Sequence, residues 1–381
     1  MARQFDLLRV SGTPRRIGVA IGTELRDKVW QAVEQIFEYE LGFYKWQTVG
    51  AYPDLGELSR DRILAATRAF EPHLEAYAPA MVEELRGIAE GARISFEEAL
   101  LLQIRGEIVY ALTPPDFVAA SPTAASSAAC TAFAVSGAGT RDGHTIVGQN
   151  WDYAVDLDRG IMHLLHVTPD DGPRRLMLTY AGLTSFIGMN SAGVANFLNS
   201  LPWGWCEVGI PHYPVCWRIY QERDLAGVRR VLEATDTVQA ENHLLADGSG
   251  AYADAELTPE GVSWIDGDGH LVHTNHYLAE PHASNPRLGA TVADSLTRRE
   301  RLSSMIAEHY GEIDLPLMHR LLTDHEGHPT SICRHEGMPD GTPDGPKIGW
   351  TAASLIAVPE RGVMYVCAGN PCQGEYVEYQ V

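Results

Sequence analysis

The chain reads as an α+β protein of layered build with antiparallel sheets. Two observations carry this expectation. The first third shows helical periodicity, and after residue 130 the texture changes to short β-rich runs broken by only two helical stretches. Many strands in hairpins with a few long helices suit sheets layered against helices.

Taken in order, residues 13–47 and 58–112 are helical in pattern. Arg60–Ala78 and Ala80–Glu90 carry apolar residues at three- and four-residue spacing, Pro79 separates them, Pro72 kinks the first, and Gly91 is placed to end the second. Ser95 and Glu98 have the spacing of a capping pair for a helix through Leu100–Leu112 that stops at Pro114 and Pro115. Asp116–Ala129, rich in Ala, Ser and Pro, is a linker, read either as a surface loop or as a segment presented for cleavage. Strands are expected at 161–167, 176–180, 193–198, 261–265, 270–274, 354–358 and 363–368, with helices at about 212–235 and 291–323.

The 381 residues exceed one small core, so two lobes or one large domain are expected. A net charge of −21, from 29 basic and 50 acidic side chains, lacks the basic footprint that nucleic acid requires and disfavours anionic membranes. A coenzyme A thioester would need a local basic patch against that field. The N-terminus shows no secretory apolar run and no stretch long enough to span a bilayer, so a cytoplasmic location is expected. The cysteines (Cys130, Cys206, Cys216, Cys333, Cys367, Cys372) are scattered and read mostly as buried, reduced thiols.

Cys130 stands apart from the others. It opens the apolar run Cys130-Thr-Ala-Phe133 directly after the linker, and Gly148-Gln-Asn-Trp-Asp152 follows a Gly-rich stretch. This reads as strand, tight turn, strand, with Cys130 at one end and Asp152 near the other. An arbitrary mid-chain cysteine is an inert buried thiol. If the Ala129–Cys130 bond is cut, however, Cys130 carries both a thiol and a free α-amine, which titrate near 8.5 and 8. The amine is then a general base for the thiol without help from histidine. Asp152 is a candidate anion to orient it, and Asn199 and Asn275 are candidate oxyanion donors.

Several segments in this order carry a resemblance. They include Gly12-Thr-Pro-Arg-Arg-Ile-Gly18 with Gly22, Glu84-Leu-Arg-Gly-Ile-Ala-Glu-Gly-Ala92, Arg105-Gly-Glu107, Cys130-Thr131 and Gly148-Gln-Asn-Trp-Asp152. Further on come Gly188-Met-Asn-Ser-Ala-Gly193, Asn199, His273-Thr-Asn-His-Tyr277, Asp294-Ser-Leu-Thr-Arg298, Asp324-His-Glu-Gly-His-Pro329, Ser331-Ile-Cys-Arg-His335 and Gly369-Asn-Pro-Cys372. Together they resemble the acyl-coenzyme A:6-aminopenicillanate acyltransferase branch of the N-terminal nucleophile (Ntn) hydrolases, relatives of choloylglycine hydrolase and acid ceramidase.

The resemblance implies a four-layer αββα sandwich, with a helical segment 1–129 retained after self-cleavage and a catalytic core 130–381. By position, Cys130 is the nucleophile, Asp152 bonds the new amine, Asn275 is the oxyanion asparagine, and Arg298 lies beside the nucleophile. Asn199 falls near a second amide. Gln149 stands where the bile-salt branch has arginine, which argues against a bile-salt hydrolase. Ala129 stands where the acyltransferase branch has glycine. Glycine tolerates strained geometry better, so slow, partial or absent self-cleavage stays open.

Thr131, Tyr180, Phe186, Trp203 and Trp205 are expected to contact substrate, with Trp217 adding to an apolar acyl pocket. Among Arg298, Arg299 and Arg301, only Arg298 is expected to serve the site. His325, His328, Cys333 and His335 fit no common zinc spacing and are expected to be structural. Asp266-Gly-Asp-Gly reads as a β-turn and Gly137-Ala-Gly139 as a hairpin turn. No cofactor or metal is expected.

The function expected is cleavage of a linear amide of a small N-acylated molecule through an S-acyl intermediate. The alternatives are acyl transfer from a thioester to an amine such as a penicillin nucleus, and an uncleaved, silent ligand-binding homologue. The partners expected are a small amide or thioester, with no nucleic acid and no membrane. The two pieces of the precursor are expected to stay associated, and a homo-oligomer is allowed for.

Overall fold

Among the described residues, fourteen strands build two sheets. In chain order the strands are β1 (Leu7–Gly12), β2 (Ala129–Val135), β3 (Ile146–Tyr153), β4 (Met162–Pro169), β5 (Arg175–Tyr180), β6 (Ile187–Asn190) and β7 (Ala195–Ser200). They continue with β8 (Glu241–Ala246), β9 (Tyr252–Thr258), β10 (Gly261–Ile265), β11 (His270–His273), β12 (Trp350–Val358), β13 (Val363–Ala368) and β14 (Val377–Gln380). A computed structural model of the chain describes residues 3–40, 59–108, 112, 129–153, 160–203, 208–285, 293–335 and 350–381. The predicted linker up to residue 128, together with Trp205 and Cys206, lies outside the described residues.

The first sheet has the order β1-β4-β5-β6-β7-β8-β9-β10 and the second β11-β2-β3-β12-β13-β14. All pairings are antiparallel except β1 with β4. The hairpin expected around Cys130 is present, with Ala129 opposite Asp152 and Cys130 opposite Trp151. Its connection is not a tight turn: residues 136–145 intervene, with a 3₁₀ turn at Gly137–Gly139.

The helices are α1 (Pro14–Glu24), α2 (Arg26–Gln35), α3 (Arg60–Thr67), α4 (Glu71–Tyr77), α5 (Pro79–Ala92) and α6 (Phe96–Gln103) in the N-terminal part. In the C-terminal part they are α7 (His212–Ile219), α8 (Leu225–Glu233), α9 (Ala293–Glu308) and α10 (Leu315–Leu322). Pro72 does not kink one long helix; it sits in the first turn of α4, where its missing N–H costs nothing. Ser95 and Glu98 form the expected capping box on α6.

Gly91 does not end α5, which runs on to Ala92 and is closed by Arg93 in the left-handed region, at φ 60°. Its role is close packing. A Cβ on Gly91 would meet Val19 O at 2.3 Å, and one on Gly18 would meet Glu84 O at 1.9 Å. Glycines on both helices therefore let the α1 and α5 backbones touch.

The layers follow from alternation along the strands. Cys130, Ala132 and Ala134 of β2 pack in the central core shared by both sheets, whereas Phe133 and Val135 pack with Leu302, Met305 and Ile306 of α9. Likewise Leu244 and Ala246 of β8 face the central core, while Leu245 packs with Val215 of α7 and Val228 of α8. The order is helices, sheet, sheet, helices: the αββα sandwich expected. The 1–129 segment is helical but also supplies β1, which completes the edge of the first sheet against β4. Among the described residues no helix is long and apolar enough to cross a membrane.

Candidate active site

Cys130 lies at the end of β2, 3% exposed, with its chain held on both sides. Its N–H donates to Asn275 Oδ1 at 2.9 Å. Its carbonyl accepts from an Arg298 guanidinium nitrogen at 2.7 Å. The same nitrogen donates to Thr131 Oγ1 at 2.9 Å, and the other terminal nitrogen of Arg298 donates to Asn275 Oδ1 at 2.9 Å. Arg298 thus ties the residue after the linker to the asparagine that follows β11.

Asn275 is fixed in turn. Its backbone N–H donates to Ser295 Oγ at 2.7 Å, and its Nδ2 donates to Ser200 O at 3.1 Å, at the end of β7. The site therefore sits where β2, β7, the segment after β11 and α9 converge.

Asp152 is fully buried opposite Ala129. Its Oδ1 accepts from Thr351 Oγ1 at 2.6 Å. Its Oδ2 lies 3.4 Å from Arg334 Nε and takes no hydrogen bond. Burial pushes this carboxyl up to about 6, against the pull of Arg334 and Arg298. Burial, reinforced by the Asp152 carboxylate, pushes the Cys130 thiol well above its ordinary value. Burial and the neighbouring Arg334 bring Arg298 down to about 10. In the uncut chain, then, the thiol is neutral, and a buried acid with one unfilled oxygen stands beside it.

An aromatic wall continues from Trp151, the cross-strand neighbour of Cys130. Trp151 packs edge-on to Tyr180 (5.7 Å between ring centroids) and Phe186 (5.8 Å), and Phe186 packs against Tyr213 (5.6 Å). Arg105 stacks 4.1 Å over the Tyr180 ring and donates to Tyr213 Oη at 2.8 Å.

The statistical description of the acyl-coenzyme A:6-aminopenicillanic acid acyl-transferase family matches residues 139–372. The chain belongs to this family. It is similar to the 40 kDa form of acyl-coenzyme A:6-aminopenicillanic-acid-acyltransferase of Emericella nidulans, 26% identical over 349 residues, spanning 85% of this chain and 83% of that protein. It is also similar to an uncharacterized protein of Archaeoglobus fulgidus, 24% identical over 280 residues, 63% of this chain and 46% of that protein. Among solved structures it is similar to a mutant conjugated bile acid hydrolase of Clostridium perfringens (TM-score 0.46, 16% identity, 66% of this chain and 97% of that one). Another is the penicillin V acylase of Agrobacterium tumefaciens (TM-score 0.39, 15% identity, 63% and 83%).

For this acyltransferase-family chain, the fold gathers Cys130, Asp152, Asn275 and Arg298 at one point. The Cys130 peptide nitrogen donates to the Asn275 amide oxygen, and the Asn275 amide nitrogen donates to Ser200 O. Asn199, one residue before Ser200, accepts from Asn242 Nδ2 at 3.2 Å and keeps its own buried Nδ2 without a partner. Asn199 therefore keeps an uncommitted amide donor, whereas that of Asn275 is taken up by Ser200 O.

Thr131, expected to contact substrate, has its hydroxyl engaged within the protein. Strand alternation turns it to the α9 side, where Arg298 takes its hydroxyl. Trp203 packs in a separate small cluster with Leu201, Ala240 and Tyr277, away from Tyr180 and Phe186. Trp217 donates to Glu84 Oε2 at 3.3 Å beside the buried Arg175–Glu84 pair, so it serves the core.

Sequence reasoning missed a buried acid cluster. Glu107 Oε1 accepts from the His212 N–H at 3.1 Å and lies 2.9 Å from His212 Nδ1. Glu241, opposite Ser200, is pushed up to about 7 by burial, and its charge reaches Cys130. The Arg105-Gly-Glu107 segment was one available signal; nothing local to Glu241 marks it.

Proposed function

We propose that the chain cuts its own Ala129–Cys130 bond and then uses Cys130 to cleave a linear C–N amide of a small N-acylated molecule. The observation that carries this reading is the hold on both sides of Cys130, by Asn275 on the nitrogen and Arg298 on the carbonyl. These contacts fix a residue that would become an N-terminus. The buried Asp152 Oδ2, which faces Arg334 at 3.4 Å but takes no hydrogen bond, is suited to an ammonium formed there.

Once the bond is cut, the Cys130 nitrogen becomes an amine titrating near 8 and takes the thiol proton. The sulfur attacks the substrate carbonyl carbon, with Asn199 Nδ2 available to the developing oxyanion. The C–N bond breaks as the amine passes its proton to the leaving nitrogen. Water then attacks the thioester, releasing a carboxylic acid and restoring the thiol. Before cutting, the α-amine base is missing and the thiol is held neutral, so the precursor turns over no amide substrate. Trp151, Tyr180 and Phe186 offer an apolar surface for the acyl group.

The two pieces stay associated in this reading. The pairing of β1 with β4, and the shared core that joins α1 and α5 to both sheets, support that. A reducing cytoplasm suits the described cysteines, all of them free.

The name of the Emericella relative favours a second reading, in which an amine and not water resolves the thioester. Intact-mass analysis under denaturing conditions tests the first step: two pieces meeting at Ala129 and Cys130 are expected. N-acylated amides offered with and without an acceptor amine then divide hydrolysis from transfer. A single uncut chain whose thiol resists alkylation would point instead to a silent ligand-binding protein.

A further inference from the structure

Away from Cys130, three separate segments bring four metal-type ligands to one point. His325 follows α10, Cys333 and His335 lie in the loop after it, and Cys372 sits in the turn after β13. The spacing considered from sequence included His328 and lacked Cys372. The fold instead selects two imidazoles and two thiols, whose ligand atoms all lie within 4.8 Å of one another.

The distances decide what such a set can hold. His325 Nε2 and His335 Nε2 are 2.9 Å apart, Cys372 Sγ is 3.3 Å from His335 Nε2, Cys333 Sγ is 3.9 Å from it, and the two sulfurs are 3.6 Å apart. A tetrahedral ion with Zn–N near 2.05 Å and Zn–S near 2.3 Å requires N–N, N–S and S–S separations of about 3.4, 3.6 and 3.8 Å. These four separations lie within about 0.5 Å of those figures, and the two from His325 to the sulfurs stay within 4.8 Å, so a swing of the His325 ring of up to about 1 Å admits the ion. Two nitrogens and two sulfurs in a tetrahedron are the donor set of a structural zinc site.

Support around the ligands is also present. Asn370 Nδ2 donates to Cys333 Sγ at 3.8 Å, suited to a thiolate. His319 Nε2 meets Pro371 O at 3.0 Å, anchoring the turn that carries Cys372. Cys333 N–H donates to Asp324 O at 3.0 Å, next to His325. His325 and Cys372 are exposed and Cys333 is buried, which gives the ion an entry side and a closed side.

We propose that His325, Cys333, His335 and Cys372 bind one zinc-type divalent cation in a closed structural site. The ion joins the turn after β13 to the loop after α10. Between two of its ligands stands Arg334, whose backbone N–H donates to Thr351 Oγ1 at 2.9 Å and whose side chain reaches Asp152 and Asp294. The ion therefore clamps the segment that carries a cation to the candidate active site.

The test is metal analysis of the full chain produced with zinc and purified without chelator. One zinc per chain is expected, and a Cys333→Ser/Cys372→Ser double variant should hold at least about tenfold less. Should that variant fail to fold, the wild-type chain reloaded with cobalt(II) gives an independent reading. Tetrahedral ligand-field bands together with a thiolate-to-cobalt charge-transfer band are expected, and the metal should shield both cysteines from alkylation. Wild-type chain that takes up no zinc, a cobalt spectrum lacking the thiolate band, equal zinc in wild type and a folded variant, or a Cys333–Cys372 disulfide in freshly purified protein would each overturn the assignment.

Discussion

Replacing Arg298 with methionine tests whether the grip on Cys130 positions the bond to be cut. Arg298 is 1% exposed and makes charge-assisted hydrogen bonds to Cys130 O, Thr131 Oγ1 and Asn275 Oδ1. Methionine fills similar length but takes this donor from Cys130 O, Thr131 Oγ1 and Asn275 Oδ1, the last of which keeps the Cys130 N–H, and it removes one of two cations near Asp152. Losing one partner of a buried charged set costs about 3–5 kcal/mol, which should be read in urea unfolding on a Cys130→Ala background that cannot process. With the Cys130 carbonyl released, the rate of self-cutting should fall about 100-fold, the usual penalty for a misplaced reacting group. Thr131→Val is the control. It removes only the bond on the α9 side, costs about 1 kcal/mol, and should process nearly as wild type. A time course of intact mass after synthesis separates the two effects. Folded Arg298→Met chain that cuts at the wild-type rate would refute the positioning role.

Three further outcomes follow from the site. Cys130→Ala should leave a single uncut chain with no turnover; any turnover by that variant, measured on an N-acylated amide, would remove Cys130 from the mechanism. Because burial sets Asp152 at about 6, the carboxylate is present above that pH, so processing should hold above about pH 6 and fall below it. Asp152→Asn should lose that acid limb, and an unchanged profile in the variant would sink the assignment. Glu241 is raised to about 7, so the folded chain holds its proton more tightly than the unfolded chain. Its contribution to stability is complete below the unfolded value and is lost as pH rises through about 7. Glu241→Gln lacks this dependence and should gain on wild type by about 3 kcal/mol between about pH 5 and pH 8 in denaturant titrations; a pH-independent difference would contradict it.

The parts of this molecule legible in sequence were those encoded locally. The β2–β3 hairpin with Asp152 near Cys130 reads from strand alternation on either side of a Gly-rich stretch, and Ser95 with Glu98 reads as a cap. Strand β1 was not legible: Leu7, Leu8, Arg9 and Val10 carry no clean period-two pattern, and their pairing with β4 spans about 150 residues of sequence. The engagement of Thr131 by Arg298 was not legible either, since it depends on a helix about 165 residues further on. The neighbours of Glu241 and Cys372 were not legible for a related reason. Each gains its meaning from side chains on other elements: Glu107 and His212 in one case, His325, Cys333 and His335 in the other. The direction of the Asn275 amide is set by Arg298 and Ser200, neither of which sequence spacing could orient.

Ala129 carries the remaining argument. Sequence reasoning gave glycine an advantage at this position because glycine accepts strained backbone. In the structure Ala129 and Cys130 are both paired residues of β2, opposite Asp152 and Trp151. Among the described residues other than glycine, only Arg93 has positive φ. The bond therefore enters a paired strand, whose extended backbone any residue adopts. In the proposed cut, strain at Ala129 then supplies none of the driving force, and the rate would rest on Asn275 at the nitrogen, Arg298 at the following carbonyl and the neighbouring Asp152. Ala129→Gly should accordingly change processing by less than about threefold, small beside the roughly 100-fold expected for Arg298→Met. A large acceleration in Ala129→Gly, measured by the same intact-mass time course, would show that backbone freedom at this residue limits the cut and that side-chain positioning does not.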